Sequence, residues 1–134
     1  MHIKEYTEFK YDEIKKLYTE VGWTAYTNNM HALEEGYKRS LKTLAAYDGY
    51  ELLGIIRAVG DGFTIVFIQD ILVFPQKQGQ GIGTALIKAM INLYPDVRQI
   101  ELATDNVPET ISFYKSVGFK EYSEVGCLGF MRLI

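Results

Sequence analysis

A glycine-rich segment between two apolar runs is the feature that constrains the fold of this chain most. The run FTIVFIQDILVF (63–74) is typical of a buried strand, and TALIKAMINLY (84–94) has the pattern of a helix that Pro95 stops. A second strand-like run, VRQIELATD (97–105), follows the helix. Because two strands joined through a helix need a crossover, we expect them to lie parallel with a right-handed connection. The middle of the chain therefore predicts an α/β fold.

The segments on either side complete a predicted mixed, twisted sheet flanked by helices. Apolar residues at helical spacing in YDEIKKLYTEV (11–21) predict one helix, and NMHALEEGYKRS (29–40) predicts a second. The pairs Asp48-Gly49 and Asp61-Gly62 predict hairpin turns between three successive strands. The other predicted elements are a first strand, a last helix and two final strands, in MHIKEYT (1–7), NVPETISFYKSVGF (106–119) and FKEYSEVGCLGFMRLI (119–134). The predicted order is β-α-α-β-β-β-α-β-α-β-β, within a single domain of residues 1–134.

Composition excludes several classes of protein. A net charge of −3 argues against a nucleic-acid binder, which usually carries a basic face. Cys127 is the only cysteine, so no internal disulfide forms, and we expect it to be a small core residue. His2 and His31 stand alone, so no metal site is expected. The charged N-terminus is neither a signal peptide nor a membrane-spanning segment, which predicts a cytoplasmic protein.

The three glycines of the loop, Gly79, Gly81 and Gly83, favour a phosphate site over a merely tight turn. Bare backbone that leads into the unbonded N–H groups of a helix can hold phosphate oxygens. A Walker loop is excluded because Gly83 is followed by Thr84 and not by Lys. The dinucleotide fingerprint also fails, since Thr84 stands where its third glycine would be, although Asp105 imitates the ribose-binding acid.

Two motifs resemble the signatures of the GCN5-related N-acetyltransferase (GNAT) family. Gln78-x-x-Gly81-x-Gly83, directly after Val73-Phe74-Pro75, resembles the Arg/Gln-x-x-Gly-x-Gly/Ala signature. The segment from Asn106 through Phe113-Tyr114 to Gly118-Phe119 is similar to the second signature, with one extra residue near Glu109. The predicted strand order also resembles the family fold across nearly the whole chain.

The resemblance implies acetyl-coenzyme A as the acetyl donor. Its diphosphate would lie on the backbone of the loop, and its pantetheine arm would pair with the preceding strand like an added strand. The implied coenzyme-binding residues are Ile71, Leu72, Val73, Gln78, Gly79, Gln80, Gly81, Ile82, Gly83, Thr84 and Asn106. Gln78 replaces the more frequent Arg, which leaves backbone N–H groups as the main donors.

Tyr114 matches the general acid that the family uses to protonate the leaving thiolate. Its alternative role is structural, because it also fits the apolar stripe of its helix. Asn106 has two roles open to it, namely contact with the coenzyme and capping of the helix that carries Glu109 three residues later.

Three further residues are candidates for the acceptor side. Asp70 is the one acid in an otherwise apolar strand, so it is either a general base or substrate anchor, or a carboxylate paired with a neighbouring strand. Trp23 and Tyr26 lie between the first two helices, where family members often build the acceptor pocket; a core position fits them equally well. For Arg57 we expect a surface pair with Asp61.

These residues predict direct acetyl transfer to a primary amine, more in keeping with a small molecule than with a protein, and without a covalent enzyme intermediate. The possible partners are the amine and a second copy of the chain, since the two final strands are candidates for pairing between subunits. The alternatives are a non-catalytic acyl-coenzyme A sensor and, from a third class, a nicotinamide enzyme.

Overall fold

The computed structural model describes residues 1–134 and has the predicted α/β class. The chain forms two compact units, Met1–Ala103 and Thr104–Ile134. The first unit holds the sheet and four helices, and the second holds the last helix and the tail. The assignment of the whole chain to one domain stays a prediction.

The first unit is built on a five-stranded mixed sheet in the order β1-β2-β3-β4-β5. Neighbouring strands pair antiparallel except β4 and β5, which pair parallel through the predicted crossover. The strands are β1 (His2–Glu5), β2 (Lys42–Asp48), β3 (Glu51–Gly60), β4 (Ile65–Val73) and β5 (Gln99–Leu102).

The helices follow the predicted pattern with one addition. They are α1 (Tyr11–Val21), α2 (Thr24–Thr27), α3 (Met30–Lys38), α4 (Ile82–Leu93) and α5 (Pro108–Ser116). The short helix α2 lies in the segment that we predicted to be an irregular break. Helix α4 ends two residues before Pro95, as that proline predicts. No helix combines the length and the apolar composition that are needed to cross a membrane.

The two predicted hairpins form at the Asp-Gly pairs. Strand β2 ends at Asp48 and β3 begins at Glu51, while β3 ends at Gly60 and β4 begins at Ile65. In the second turn the carboxylate of Asp61 accepts hydrogen bonds from the N–H groups of Phe63, Thr64 and Ile65. These bonds hold the pKa of Asp61 well below its usual range. Asp61 is thus committed to its own turn.

Apolar side chains cover both faces of the sheet. On one face α1 and α3 supply Ile14, Leu17, Tyr18 and Leu33 to a cluster that includes Ala45, Ile55 and Leu72. Their neighbours in sequence, Ala46 and Ile56, are also buried but lie outside that cluster. Helix α4 packs against β2, β3 and β4 with its own buried residues, Ile82, Leu86, Ile87 and Met90. Burial on both faces explains why the central strands read as nearly continuous apolar runs.

The second unit corrects two predictions. The tail forms no strand: Tyr122–Val125 is a 3-10 turn, and Gly126 takes the left-handed conformation with φ of 78°. The turn is stabilised by reciprocal bonds between Glu121 and Glu124, so the chain here cannot stay extended. Cys127 is exposed and not a core residue, because the residues around it pair with no strand.

Candidate active site

Half of β4 has a strand on one side only. The parallel ladder with β5 covers Ile65 to Ile68 and ends at the pair Ile68 and Leu102. On the other side, β3 continues to pair with β4 as far as Val73. The stretch Gln69–Val73 is therefore open on the side where β5 has ended.

A β-bulge lies where the parallel ladder ends. Ala58 pairs with Ile68 and Arg57 pairs with Asp70, so Gln69 is an extra residue on β4. Bulges bend a strand and increase its local twist. Leu72 beyond the bulge joins the α1 and α3 cluster, whereas the buried Val66 and Ile68 before it do not. The bulge thus opens β4 away from β5 and sets which face Asp70 occupies.

The open stretch presents backbone groups at alternate residues. The N–H of Phe74 donates to the carbonyl of Leu53 at 3.0 Å, so these two residues form a hydrogen-bonded pair. Because such pairs alternate in an antiparallel ladder, Leu72 bonds to β3 while Ile71 and Val73 point away from it. Of the three predicted strand contacts, Ile71 and Val73 are directed to the open side and Leu72 is not.

The glycine loop needs two of its glycines for backbone reasons. Gly79 and Gly81 have φ angles of 78° and 82°, which residues with a side chain rarely adopt. A Cβ added at either position would meet nothing within 4 Å, so the space beside the loop is open. Gly83 lies in the first turn of α4 and has no positive φ.

Three N–H groups are free at the start of α4. The helix begins at Ile82, and its N-cap, Gly81, has no side chain to accept a hydrogen bond. The first N–H that bonds inside the helix is that of Ala85, to Gly81 at 3.0 Å. The N–H groups of Ile82, Gly83 and Thr84 therefore lack a partner in the helix, at its positive end.

The side chain of Gln78 joins this loop to the open strand. Its Nε2 donates to the carbonyl of Val73 at 3.1 Å. That carbonyl points away from β3, so Gln78 occupies the last outward acceptor of β4. The open strand and the free helix N–H groups are in this way parts of one continuous backbone surface.

Asp70 is the centre of a buried polar cluster. Its residue is 1% exposed, and its oxygens accept from Arg57 Nε at 2.7 Å, Tyr18 hydroxyl at 2.8 Å and Tyr26 hydroxyl at 2.7 Å. The expected pair of Arg57 with Asp61 is wrong, because Arg57 is buried opposite Asp70 across the bulge. Burial alone lowers the pKa of Arg57, but the charge of Asp70 and its hydrogen bond raise it overall.

Tyr26 connects this cluster to the bulge. Its hydroxyl donates to Asp70 and accepts from Nε2 of Gln69 at 3.2 Å. Burial is the main cause that raises the pKa of Tyr26, so the phenol keeps its proton at neutral pH. The ring of Trp23 stacks on the ring of Tyr26 with centroids 6.1 Å apart.

A small cleft lies beside Tyr26 and Arg57. Its volume is about 180 Å³, and α2 and α3 supply most of its walls, including Asn29 and Leu33. Trp23 and Tyr26 are half-buried and pack against the core. Both sequence interpretations of this pair, core position and pocket wall, are compatible with these contacts.

In the second unit, Tyr114 is half-buried between two aromatic rings. Its centroid is 5.0 Å from that of Phe113 and 6.1 Å from that of Phe119. Burial raises the pKa of Tyr114. Its hydroxyl forms no hydrogen bond within the chain, so the phenol proton is not committed to a structural partner.

Asn106 does not cap α5. The N-cap is Val107, and the helix begins at Pro108. Since proline is preferred at the first helical position, Asn106 is left one residue too early to reach the first free N–H groups. Thr110 instead bonds through its hydroxyl to the carbonyls of Asp105 and Val107. The prediction of a coenzyme contact for Asn106 is untouched by this correction.

Sequence reasoning missed three members of the Asp70 cluster: Gln69, Tyr18 and Arg57. The polar pair Gln69-Asp70 inside an apolar strand was the available signal, because a buried carboxylate requires donors. The identity of those donors depends on the bulge register, which the sequence does not display.

Comparison with known proteins identifies relatives over most of the chain. Residues 39–121 match the family described as acetyltransferase (GNAT) domain. A solved GNAT family acetyltransferase from Streptococcus pneumoniae is 36% identical, with a TM-score of 0.89, and the match covers 99% of this chain and 97% of that one.

Curated relatives match over shorter stretches. A soybean (Glycine max) protein named histone acetyltransferase TAP1 is 33% identical over 81% of this chain and 51% of its own length. A mouse (Mus musculus) protein named thialysine N-epsilon-acetyltransferase is 37% identical over 57% of this chain and 46% of its own length. The chain spans about half the length of these two curated relatives.

Proposed function

Because the chain belongs to the GNAT family of acetyltransferases, we propose that it moves an acetyl group from acetyl-coenzyme A directly to a primary amine of a small molecule. The observation that carries this proposal is the continuity of the open strand Gln69–Val73 with a glycine loop that ends in free helix N–H groups. That surface matches a donor that has a diphosphate at one end of a flexible amide-containing arm.

The loop and the first turn of α4 bind the diphosphate end. The free N–H groups of Ile82, Gly83 and Thr84 donate to phosphate oxygens, and the helix dipole favours their negative charge. Gly79 and Gly81 let the phosphates approach the backbone, since neither carries a Cβ. Gln78 and Gln80 contribute backbone only, because the side chain of Gln78 is already bonded to Val73.

The open side of β4 binds the arm. Val73 is adjacent to the loop and Ile71 lies closer to the bulge, so their outward groups pair with amides that are successively farther from the diphosphate. The reacting thioester then lies nearest Ile71, whose N–H donates to the carbonyl oxygen as negative charge develops on it. Leu72 anchors this stretch to β3 and contacts the arm only through its neighbours.

Tyr26 and Asp70 receive the amine. Because the proton of Tyr26 is held by Asp70, the phenol oxygen has a lone pair directed outward and accepts a hydrogen bond from the substrate ammonium. As the amine loses its proton to Tyr26, the phenol proton moves to Asp70. Asp70 thus acts through Tyr26, and Trp23 supports the ring of Tyr26 by stacking.

Tyr114 supplies the second proton. After the amine nitrogen bonds to the acyl carbon and the carbon–sulfur bond breaks, its phenol protonates the leaving thiolate. The absence of a hydrogen-bond partner within the chain supports this role. Asn106 is assigned to the coenzyme and not to helix capping.

A small-molecule acceptor is favoured by the modest cleft of about 180 Å³ next to Tyr26. The names of the relatives point both ways, because one is called a histone acetyltransferase and another a thialysine acetyltransferase. We assign the reaction to the cytoplasm on the sequence features given above.

The test is thiol release from acetyl-coenzyme A with separate panels of small primary amines and of lysine-containing histone-tail peptides. The proposal expects amine-dependent release that saturates with at least one small amine and is weaker with every peptide. Faster release with a peptide would overturn the small-molecule assignment. Tight binding of acetyl-coenzyme A without release from any acceptor would indicate a sensor instead of an enzyme.

A further inference from the structure

The tail exposes more apolar surface than any other segment of the chain. Leu128, Phe130, Met131 and Leu133 are 74%, 94%, 80% and 85% exposed. Scattered apolar residues are ordinary on a protein surface, but a contiguous run of them marks a contact with a partner. The run is also strand-like, since its large apolar residues are interrupted only by Gly129 and Arg132.

The sheet offers one unprotected edge. Strand β5 has β4 on one side and no strand on the other. The N–H of Gln99 bonds to Thr64 on the β4 side at 3.2 Å; by alternation, the N–H and C=O groups of Ile100 and Leu102 point to the open side. Both side chains are only half-buried. Such an edge accepts an added strand readily.

The opposite edge of the sheet is protected. On β1, Glu5 pairs with Lys42 at 3.2 Å, and the ammonium of Lys4 lies over the ring of Tyr47. Charged residues on an edge discourage pairing with another chain. Only β5 therefore combines outward backbone groups with half-exposed apolar side chains.

The tail and β5 are also complementary in charge. Strand β5 carries one acid, Glu101, and the tail carries one base, Arg132. Neither side chain forms an ion pair within the chain. A cross-strand pair of opposite charges favours a particular alignment of two strands.

The geometry points to strand exchange between two copies of this chain, in which the tail Cys127–Ile134 of each copy pairs with β5 of the other. Within one copy the tail pairs with no strand, although both segments belong to the same chain and intramolecular pairing carries no translational cost. A two-fold arrangement satisfies both edges and both tails at once. The exchange covers the apolar run and removes the exposed edge.

The first test is the mass in solution by light scattering. We expect twice the chain mass of 15.3 kDa for the native protein. Phe130→Lys should weaken the dimer about tenfold for each tail, hence about 100-fold, because it removes a large apolar side chain from the contact. The matched control is Tyr50→Lys, at a fully exposed aromatic residue in the β2–β3 turn, which should leave the dimer intact.

The second test locates the contact on β5. Glu101→Arg and Arg132→Glu should each weaken the dimer, and the combined variant should recover most of the loss. The amides of Ile100 and Leu102 should exchange slowly with solvent in the dimer and rapidly in Phe130→Lys.

A native protein that is monomeric at every concentration would overturn the inference. So would a dimer that persists in Phe130→Lys, or a charge swap that restores nothing. Slow exchange of the two β5 amides in a monomer would show that the tail docks on its own chain, which also contradicts strand exchange.

Discussion

Arg57 and Asp70 face each other across a β-bulge, with Nε of the guanidinium 2.7 Å from Oδ2 of the carboxylate. Both side chains are buried, at 6% and 0% exposure, so neither charge is hydrated. Arg57 also donates from Nη1 to Ser40 and lies over the ring of Tyr37. The pair fixes the carboxylate beneath Tyr26, where the proposed acceptor site begins.

Removing one partner of this pair should be costly. Arg57→Ala leaves the carboxylate of Asp70 buried with only phenol donors, and we expect the free energy of unfolding to fall by about 3–5 kcal/mol. The combined variant Arg57→Met with Asp70→Leu should lose much less, because no charge is left unpaired. Urea unfolding of the three proteins measures both values. Equal losses in the single and combined variants would mean that the pair is not desolvated.

The buried tyrosines should make the protein sensitive to alkali. Burial is the main cause that raises the pKa of Tyr18, Tyr26 and Tyr37 above the ordinary value. A raised folded-state pKa favours the neutral phenol, so this stability is fully present below about pH 10 and is lost as the pH rises further.

Urea unfolding between about pH 9 and about pH 11 should show a slope of up to about 1.4 kcal/mol per pH unit for each such tyrosine. Tyr37→Phe should make the decline shallower, and Tyr50→Phe, at an exposed position, should leave it unchanged. A flat profile in the native protein would contradict the buried cluster.

Gly81→Ala tests the loop separately from the fold. Gly81 and Gly22 have similar φ angles, 82° and 89°, and at neither would a Cβ meet another atom. Alanine at either site should cost about 1–2 kcal/mol of stability, from the left-handed backbone alone. Only Gly81→Ala should also weaken acetyl-coenzyme A binding in calorimetry. Equal coenzyme affinity in both variants would place the diphosphate elsewhere.

Tyr114→Phe tests the proposed general acid. We expect kcat to fall about 100-fold or more, while the dissociation constant of acetyl-coenzyme A stays within about twofold. Stability should change little, because the hydroxyl has no partner within the chain. A kcat like that of the native protein would remove Tyr114 from the mechanism.

Tyr26→Phe tests the acceptor side. Loss of the hydroxyl removes the contact to the amine and one donor to Asp70, so kcat/KM for the amine should fall and its pH profile should move to higher pH. The affinity for acetyl-coenzyme A should not change. An unaltered pH profile would show that Tyr26 and Asp70 take no part in deprotonation.

The sequence was sufficient for elements that are determined locally. The apolar stripe of α1 predicted that helix to the residue, and the Asp-Gly pairs located both hairpins, because spacing and turn chemistry act within a few residues. The parallel pairing of β4 and β5 followed from the crossover alone.

Features that depend on distant pairing could not be predicted. Arg57 was matched with the nearby Asp61, yet the bulge at Gln69 brings it opposite Asp70. The tail has strand-like composition, but a strand exists only where an edge accepts it, and the sequence does not identify that edge. The cap of α5 was misplaced by one residue because Pro108 determines where the helix begins.

The most direct measurement of the central claim is an amide NMR titration with acetyl-coenzyme A. The account predicts saturable shifts of the Ile71, Val73 and Gly79–Thr84 amides, with no shift at the Asp48-Gly49 turn. Absence of saturable shifts at the loop and at β4, with acetyl-coenzyme A at millimolar concentration, would contradict it.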